Sequence, residues 1–426
     1  MIPLFLQQCR LCGNPYLDEV LGLGKQTQQG QFNGKTQKTP QRNLNVKVVR
    51  CNPKKFEGGC SLLQLNLTVP PSILYTQYFY LSHISETMRE HLKTIAIEMS
   101  ELLPETSKIL DIACNSGFML ECFANSFQRF GVDPNNVAGN ISNKELNICN
   151  DFFPSDSFNK FTEKHLIGNF RAISCISMMY DLHDPVSFIK EMDNYLDDEG
   201  FFVGEVAYVP TLLKNLAYDN FCFEHLTYYS LTTLEDLLSL VNLQIFRVKL
   251  SNINGGVIQF WACKKGNNKY NRADWLKEVQ NLRIEEFDLC LDEEDIYVKF
   301  ANDVQNHARE LNALLTKLKL DGKTTFLLGA STKIGVVLNY AGITNYHIPY
   351  AVERTPEKFG MSTIGTNIKI ISESQAKDLK PDYYLLGPYF LLSQVIKREK
   401  EFLDNGGKII VPLPKIKIWD KNGLCV

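Results

Sequence analysis

Short apolar runs alternate with amphipathic segments along most of the chain after residue 84. Residues 84–103 carry apolar side chains at helical spacing behind Ser85, which predicts a capped helix. The run KILDI at 108–112 predicts a buried strand. Further strands are expected at 130–132, 172–178 and 200–206, with a helix over 186–196. This order of strands and helices predicts an α/β fold with a parallel, doubly wound sheet.

The pattern changes after this first sheet. Two apolar segments, LQIFRVKLSN and GGVIQFWACKK, predict a hairpin around 252–256, and the polar residues 267–272 predict a linker. One long helical segment is expected over 273–318, after which TTFLLGASTKIG restarts the strand-turn-helix pattern. Strands expected at 350–351, 383–386 and 408–411 complete a second Rossmann-like α/β domain. Residues 21–39, rich in Gly, Gln, Asn and Thr, predict a solvated loop.

Composition narrows the class of protein. The 426 residues are 22 % charged and 44 % hydrophobic with a net charge of −3, which is typical of globular proteins and does not by itself suggest a nucleic-acid partner. The N-terminal segment lacks the features of a signal peptide, and no apolar run is long enough to cross a membrane. We therefore expect a cytoplasmic protein with no membrane or nucleic-acid partner, as a monomer or weak homo-oligomer.

Four of the twelve cysteines are grouped near the start of the chain. Cys9 and Cys12 form a CxxCG knuckle that points two thiolates at one centre, and Cys51 and Cys60 offer a second pair. The second pair is separated by eight residues, wider than usual, so ordinary thiols without zinc are the alternative. Since four cysteines leave no open position, the predicted zinc is structural. The predicted domains are a zinc-binding domain over 1–75, a cofactor-binding domain over 76–266 and the C-terminal domain over 267–426.

The turn after the strand at 108–112 predicts a cofactor site. Asp111 ends the strand and Asp133 follows the next one, the layout that holds the adenosine part of cofactors in open α/β sheets. The turn lacks the GxGxxG spacing that a pyrophosphate needs, which favours S-adenosylmethionine over NAD. The alternative is an ordinary strand-turn-helix. The residues predicted to bind the cofactor are Asp111, Ala113, Asn115, Ser116, Gly117, Asp133 and Pro134.

Two further segments carry candidate chemistry. Glu224 and His225 form an adjacent acid and imidazole within an aromatic stretch, a candidate acid/base set, although a surface pair with aromatic neighbours is the alternative. In GASTKIG, Ser331, Thr332 and Lys333 lie at a predicted helix start and are suited to a phosphate or a polar substrate edge. A plain strand-to-helix turn is the alternative there.

These segments, in this order, resemble the sugar C-methyltransferases that act on nucleotide-linked 4-keto deoxysugars. The resemblance spans nearly the whole chain and rests on CRLCG, CSLLQL, LDIACNSGFML, GVDP, HDPVSF, GFFVGEV, FEHLTYYSL, NGG, GASTKIG and AVERTPEKFG. It implies a zinc-binding domain, a class I methyltransferase domain and a C-terminal Rossmann-like domain. The implied reaction is S-adenosylmethionine-dependent methylation at C3 of the sugar. Under this resemblance His225 is the base, Glu224 orients the sugar or the imidazole, and a nucleotide sugar is the substrate.

The resemblance also extends the list of site residues. It adds Tyr78, Tyr80 and Asp181 to the catalytic set, and Glu353 and Arg354 to Ser331, Thr332 and Lys333 as substrate-binding residues. The chain departs from the family at Cys222, where Tyr is usual, and at Asp181, where His is usual. The alternatives left open are an O- or N-methyltransferase acting on a related sugar, and a catalytically degenerate cofactor-binding protein that acts as an interaction partner.

Overall fold

The computed structural model describes residues 4–27, 32–34, 43–74 and 85–425. The N-terminal part of the described chain forms a small antiparallel sheet, which also contains one strand from much later in the sequence. Its strand order is Thr227–Tyr228, Leu63–Leu65, Asn43–Cys51 and Leu17–Thr27. A two-stranded pair, Leu4–Phe5 with Leu67–Thr68, and a short helix, Pro71–Leu74, complete this part.

The prediction of a loop over 21–39 is wrong for its first part, because Leu17–Thr27 is an 11-residue strand. Leu21 and Leu23 are buried and alternate with the exposed Gly22 and Gly24, which is the alternation of a half-buried strand. The glycines obscure that pattern in the sequence. Phe32–Asn33 is also a strand, and it pairs with Ser362–Thr363 in the C-terminal sheet.

The central sheet has seven strands, and it confirms the predicted doubly wound α/β fold. Its order is Leu243–Ser251, Val257–Lys264, Leu196–Ala207, Phe170–Ile176, Lys108–Ile112, Gln128–Val132 and Asn147–Cys149. Val257–Lys264 runs antiparallel to both of its neighbours, and its pairing with Leu243–Ser251 is the predicted hairpin at the edge of the sheet. The helices are Glu86–Leu102, Phe118–Glu121, Asn136–Gly139, Asp156–Lys164, Pro185–Tyr195, Val209–Lys214 and Leu231–Ser239.

The C-terminal sheet has nine strands around a parallel centre. Its order is Gly423–Leu424, Lys417–Asp420, Lys408–Val411, Tyr383–Leu386, Thr325–Leu328, Tyr350–Glu353, Lys369–Ser372, Ser362–Thr363 and Phe32–Asn33. Its helices are Thr332–Tyr340, Glu373–Leu379, Leu392–Arg398 and Lys400–Asp404, preceded by Ala273–Asp288 and Asp295–Leu320. The expected single helix over 273–318 is therefore two helices. The break includes Cys290, whose positive φ of 51° cannot continue a right-handed helix.

The three sheets share side chains and strands. Thr227–Tyr228 of the central region joins the N-terminal sheet, and the aromatic segment 218–223 packs into the C-terminal core, where Phe221 meets Phe300 edge-on. Strand pairing therefore crosses the predicted domain borders, which themselves stay predictions. Among the helices in the described ranges, none is both long and apolar enough to cross a membrane.

Candidate functional site

The turn that follows Lys108–Ile112 is held in an unusual backbone conformation. Ala113, Asn115 and Gly117 have φ values of 63°, 50° and 73°, in the left-handed region. The N–H of Ala113 donates to the carbonyl of Val132 at 2.8 Å, which ties the turn to the neighbouring strand. Left-handed residues are costly for side chains other than glycine and cluster at ligand sites. The turn therefore presents its backbone to the space above the sheet.

Asp133 fixes this turn from the adjacent strand end. Its Oδ2 accepts the N–H of Asn115 at 2.9 Å, and its Oδ1 accepts the N–H of Asn135 at 2.7 Å. Burial raises the pKa of Asp133. Each carboxylate oxygen still has a lone pair for a further donor. The geometry is compatible with the predicted acceptance of ribose hydroxyls.

Asp111 is the second acid at this edge. It is almost fully buried and accepts a hydrogen bond from Ser174 Oγ at 2.8 Å. Burial raises the pKa of Asp111 to about 7, against the opposing effect of the Ser174 hydrogen bond. The nearby charge of Asp133 adds to the increase. Asp111 therefore changes its charge close to neutral pH.

A cavity of about 630 Å³ lies over both acids, within the range of small-molecule sites. Asn135 Nδ2, buried in the cavity wall, has no hydrogen-bond partner among the described residues, so this donor is suited to a polar group of a ligand. The predicted residues that line the cavity are Asp111, Ala113, Asn115, Asp133, Pro134 and Asp181. Ser116 and Gly117 belong to the same turn but do not line it. The residue set fits S-adenosylmethionine.

Sequence reasoning missed a buried network at the cavity wall. Glu205, fully buried, lies 2.6 Å from Nε2 of His91 and accepts from Ser177 Oγ at 3.1 Å. Ser177 lines the cavity with a positive φ of 57°. His91 lies on the helix that contributes Met88 and Leu92 to the same wall. The apolar spacing of that helix predicted its fold, but no local signal pairs residue 91 with residue 205.

The Glu224–His225 pair is buried, so the alternative of a surface pair with aromatic neighbours is wrong, and the candidate acid/base set lies inside the protein. The ring of His225 lies 4.3 Å from the ring of Tyr180, centroid to centroid. The loop backbone is fixed because the N–H of His225 donates to the carbonyl of Cys222 at 3.1 Å, and Tyr228 Oη donates to the carbonyl of His225 at 2.8 Å. The imidazole therefore has a defined position against Tyr180, and Asp181, the next residue in the sequence after Tyr180, lines the cavity.

Burial sets the protonation of this pair. It lowers the pKa of His225 to about 3, with a further contribution from the positive charge of Lys333, so the imidazole is neutral at physiological pH. Burial raises the pKa of Glu224 to about 7. His225 Nδ1 has no hydrogen-bond partner among the described residues. A neutral imidazole with an unused nitrogen can accept a proton or bind a ligand.

Lys333 reaches this loop from the C-terminal domain. Its Nζ donates to Asn220 Oδ1 at 2.7 Å and to the carbonyl of Asn254 at 2.6 Å. Burial lowers the pKa of Lys333, and the carboxylate of Asp219 opposes this change. The structure therefore brings Lys333 together with the Glu224–His225 loop, which the sequence did not predict.

The other residues predicted to bind substrate lie around the turn that follows Thr325–Leu328 in the C-terminal sheet. Ser331 Oγ accepts the N–H of Ile334 at 3.4 Å and caps the helix Thr332–Tyr340. Glu353 Oε1 accepts the N–H of Ala330 at 2.8 Å, and Lys358 lies 3.2 Å from the same oxygen. Arg354 follows Glu353 and is exposed.

The four N-terminal cysteines converge as predicted. Cys9 and Cys60 Sγ atoms are 3.5 Å apart, as are those of Cys12 and Cys51. Ligand sulfurs around a tetrahedral zinc ion are about 3.8 Å apart at ordinary bond lengths. The hydrogen bond from Cys12 lowers the pKa of Cys51, which favours the thiolate that a metal requires. The wide spacing between residues 51 and 60 closes through the turn at Gly58 and Gly59. Tyr78 and Tyr80 lie outside the described residues.

Comparisons with known proteins agree with this architecture. Family models match at residues 9–75 for a zinc binding domain, at 80–248 for a methyltransferase domain and at 252–414 for a C-methyltransferase C-terminal domain. The C-methyltransferase NovU of Streptomyces niveus is 27 % identical over 421 residues, which cover 97 % of each chain.

Solved structures of methyltransferases are similar to less than half of this chain. A S-adenosylmethionine-dependent methyltransferase from Clostridium acetobutylicum is 16 % identical, covers 42 % of this chain and 92 % of its own, and gives a TM-score of 0.34. The N-methyltransferase NodS from Bradyrhizobium japonicum is 13 % identical, covers 42 % of this chain and 98 % of its own, and gives a TM-score of 0.33. The three consecutive family matches and the relative aligned over 97 % of the chain make this protein similar to C-methyltransferases along nearly its whole length, and they show a S-adenosylmethionine-dependent methyltransferase with a zinc-binding domain.

Proposed function

We propose that this methyltransferase adds a carbon branch at C3 of a nucleotide-linked 4-keto deoxysugar, with His225 as the base. The observation that carries the proposal is the buried, neutral imidazole whose Nδ1 has no partner among the described residues. Abstraction of a proton beside a ketone needs such a base, held in one orientation near the methyl donor. The same chemistry is suggested by the resemblance stated for the FEHLTYYSL segment.

S-adenosylmethionine supplies an activated methyl group from the cavity above Asp111 and Asp133. In the proposed reaction His225 Nδ1 takes the C3 proton, and the electron pair of the broken C–H bond forms the enolate. Carbon C3 would then form its bond to the methyl group while the bond between that methyl carbon and the sulfonium sulfur breaks, so that S-adenosylhomocysteine is the leaving group. The low pKa of the resting imidazole does not prevent this step, because the developing enolate charge next to His225 stabilises the imidazolium.

Lys333 supports stabilisation of the enolate. Its positive charge is close enough to affect the pKa of His225, and hydrogen bonds to Asn220 and Asn254 hold its ammonium in place. A fixed cation beside the reacting centre favours a negative oxygen without reorganisation during the reaction. In this proposal Lys333 stabilises the negative charge that develops on the ketone oxygen, and Glu224 orients the sugar.

The nucleotide part of the substrate is assigned to the turn of the second sheet. Glu353 there corresponds to Asp133 in the first sheet: it ends the next strand and accepts a backbone N–H from the preceding turn. That arrangement is suited to a ribose, while Ser331, Thr332 and exposed Arg354 are available to phosphate oxygens. Tyr78, Tyr80 and Asp181 complete the proposed catalytic set.

A second candidate function is methylation of an oxygen or nitrogen of a related sugar. The specific observation in its favour is Glu224, whose pKa of about 7 suits a general base for a hydroxyl or ammonium group. In that reaction no carbon-bound proton is removed. The two functions therefore differ in whether the C3 proton exchanges with solvent.

The test uses the full chain, S-adenosylmethionine and a panel of nucleotide 4-keto sugars in D₂O, with the C3 proton followed by NMR. Exchange together with methyl transfer is expected, and His225→Asn should abolish both while leaving cofactor affinity unchanged. His165→Asn, at an exposed histidine of the same domain, is the matched control. Transfer without exchange supports the second function, and undiminished turnover of His225→Asn refutes the assigned base.

A further inference from the structure

Three potential metal ligands of different chemistry meet in the loop of the proposed base. Cys222 Sγ, a carboxylate oxygen of Glu224 and a ring nitrogen of His225 all lie within 4.8 Å of one another. All three side chains are buried. In the described part of the chain, the other group with such convergence is the N-terminal set of four cysteines. The two groups lie in different parts of the fold.

The ligand types indicate a particular class of ion. Thiolate, imidazole and carboxylate together suit zinc and related divalent transition metals, whereas magnesium and calcium prefer oxygen ligands. Three protein ligands leave a fourth position open, as in catalytic rather than structural zinc sites. A thiolate and a carboxylate also balance the double charge of the ion.

An independent observation points to a ligand at this place. His225 is more than nine-tenths buried, and its Nδ1 lacks a hydrogen-bond partner among the described residues. An unsatisfied buried nitrogen costs about 1 to 3 kcal/mol, so a group that binds it is favoured. A metal ion seated between the three side chains would bind a ring nitrogen of this imidazole.

The surrounding charges permit a cation. Lys333 is the nearby positive group, and Asp219 and Asp181 are nearby negative groups that interact with it. Its ammonium donates to Asn220 and Asn254. The net charge around the site therefore does not exclude a divalent ion, even though Lys333 weakens its binding.

We infer that Cys222, Glu224 and His225 form a second metal site, separate from the four cysteines, for a divalent ion of the zinc class. Its effect on catalysis rests on the proposed function: an ion bound to His225 occupies the nitrogen that takes the C3 proton. Zinc above the amount held by the four cysteines therefore inhibits methyl transfer reversibly, and a chelator of moderate affinity restores activity.

The binding test needs no assumption about activity. Reduced full-length protein that holds one zinc ion per chain is dialysed against Co²⁺, and bound metal is measured by mass spectrometry and by cobalt–thiolate absorption. A second equivalent of metal is expected. Cys222→Ser and His225→Asn should each lose that equivalent and keep the first, while Cys263→Ser, at another buried cysteine, should keep both. Retention of the first zinc shows that a variant is folded.

Two results overturn the inference: a wild-type chain that never binds a second ion, or a second ion that both variants retain. If Cys222→Ser does not fold, the metal content of His225→Asn is compared with that of the wild type. In the wild-type protein, bound metal should also slow alkylation of Cys222 at least several-fold relative to the protein without the second ion. The consequence for catalysis is tested separately with added zinc. If the second ion binds but turnover is unaffected, His225 is not the base. The inference of a second metal site is then supported, and the proposed role of His225 in the reaction is refuted.

Discussion

The acid at the end of the first central strand should make the protein less stable as pH rises toward neutrality. Folding raises the pKa of Asp111 from its ordinary value of 3.8 to about 7, chiefly because the carboxyl is buried. Between these two values the folded chain holds a proton that the unfolded chain has released. Stability contributed by the protonated form is therefore present at low pH and is lost as pH rises through this window.

The magnitude follows from the two pKa values. Between pH 5 and pH 8 this single group should reduce the free energy of unfolding by about 2 to 3 kcal/mol. Asp111→Asn removes the titration but keeps an oxygen that can accept from Ser174 Oγ. We therefore expect the variant to gain stability over the wild type by this amount as pH increases from 5 to 8.

The assay is urea unfolding of cofactor-free protein at several pH values, followed by tryptophan fluorescence. Trp261 and Trp275 pack in one core cluster with Ile109, so they report on the sheet that carries Asp111. Asp198→Asn, at an exposed acid of the same domain, is the control and should follow the wild type at every pH. If the difference in free energy of unfolding between Asp111→Asn and the wild type stays constant from pH 5 to pH 8, the reasoning is refuted.

Four further outcomes are expected. Asp133→Asn should weaken S-adenosylmethionine binding about 10- to 100-fold, because a charged hydrogen-bond acceptor is lost, and calorimetry checks this. Turnover of Glu224→Gln at saturating cofactor should be nearly independent of pH from 6 to 9, because His225 is deprotonated throughout and the titrating Glu224 carboxyl is removed; turnover that is lost in this variant would instead make Glu224 the base. Cys51→Ser should remove the structural zinc and lower the melting temperature measured by scanning calorimetry, whereas an unchanged zinc content would contradict the four-cysteine site. Gly204→Ala places a Cβ 2.2 Å from Phe260 Cζ and should destabilise the protein by about 1 to 3 kcal/mol, as measured by urea unfolding.

Hydrophobic periodicity was sufficient for the central sheet, because its buried strands are apolar runs and its helices carry one apolar face. Lys108–Ile112 and Gln128–Val132 agree with the predicted positions within a few residues. Periodicity failed where glycine replaced side chains, as in Leu17–Thr27, and where one left-handed residue, Cys290, separated two helices with similar patterns. Local sequence carries little information about such breaks.

The residues of the candidate site also fall into those that local sequence predicts and those that it does not. Asp111, Asp133 and the four cysteines follow from local spacing, because a strand end or a knuckle places each of them. The burial of Glu224 and His225 depends on packing between segments far apart in sequence, and no local pattern contains it. The contact between His91 and Glu205 is likewise formed by residues more than a hundred positions apart.

Lys333 shows how the C-terminal domain takes part in the site of the central one. Sequence alone places this lysine at a strand-to-helix turn that is suited to a phosphate or to a polar substrate edge, with a plain turn as the alternative. In the folded chain its ammonium is held by Asn220 and Asn254, and its charge affects the pKa of His225. The electrostatic environment of the proposed base is therefore set partly by the second domain. A methyltransferase domain separated from that domain would lack this partly buried cation and expose the aromatic segment 218–223, which packs into the C-terminal core.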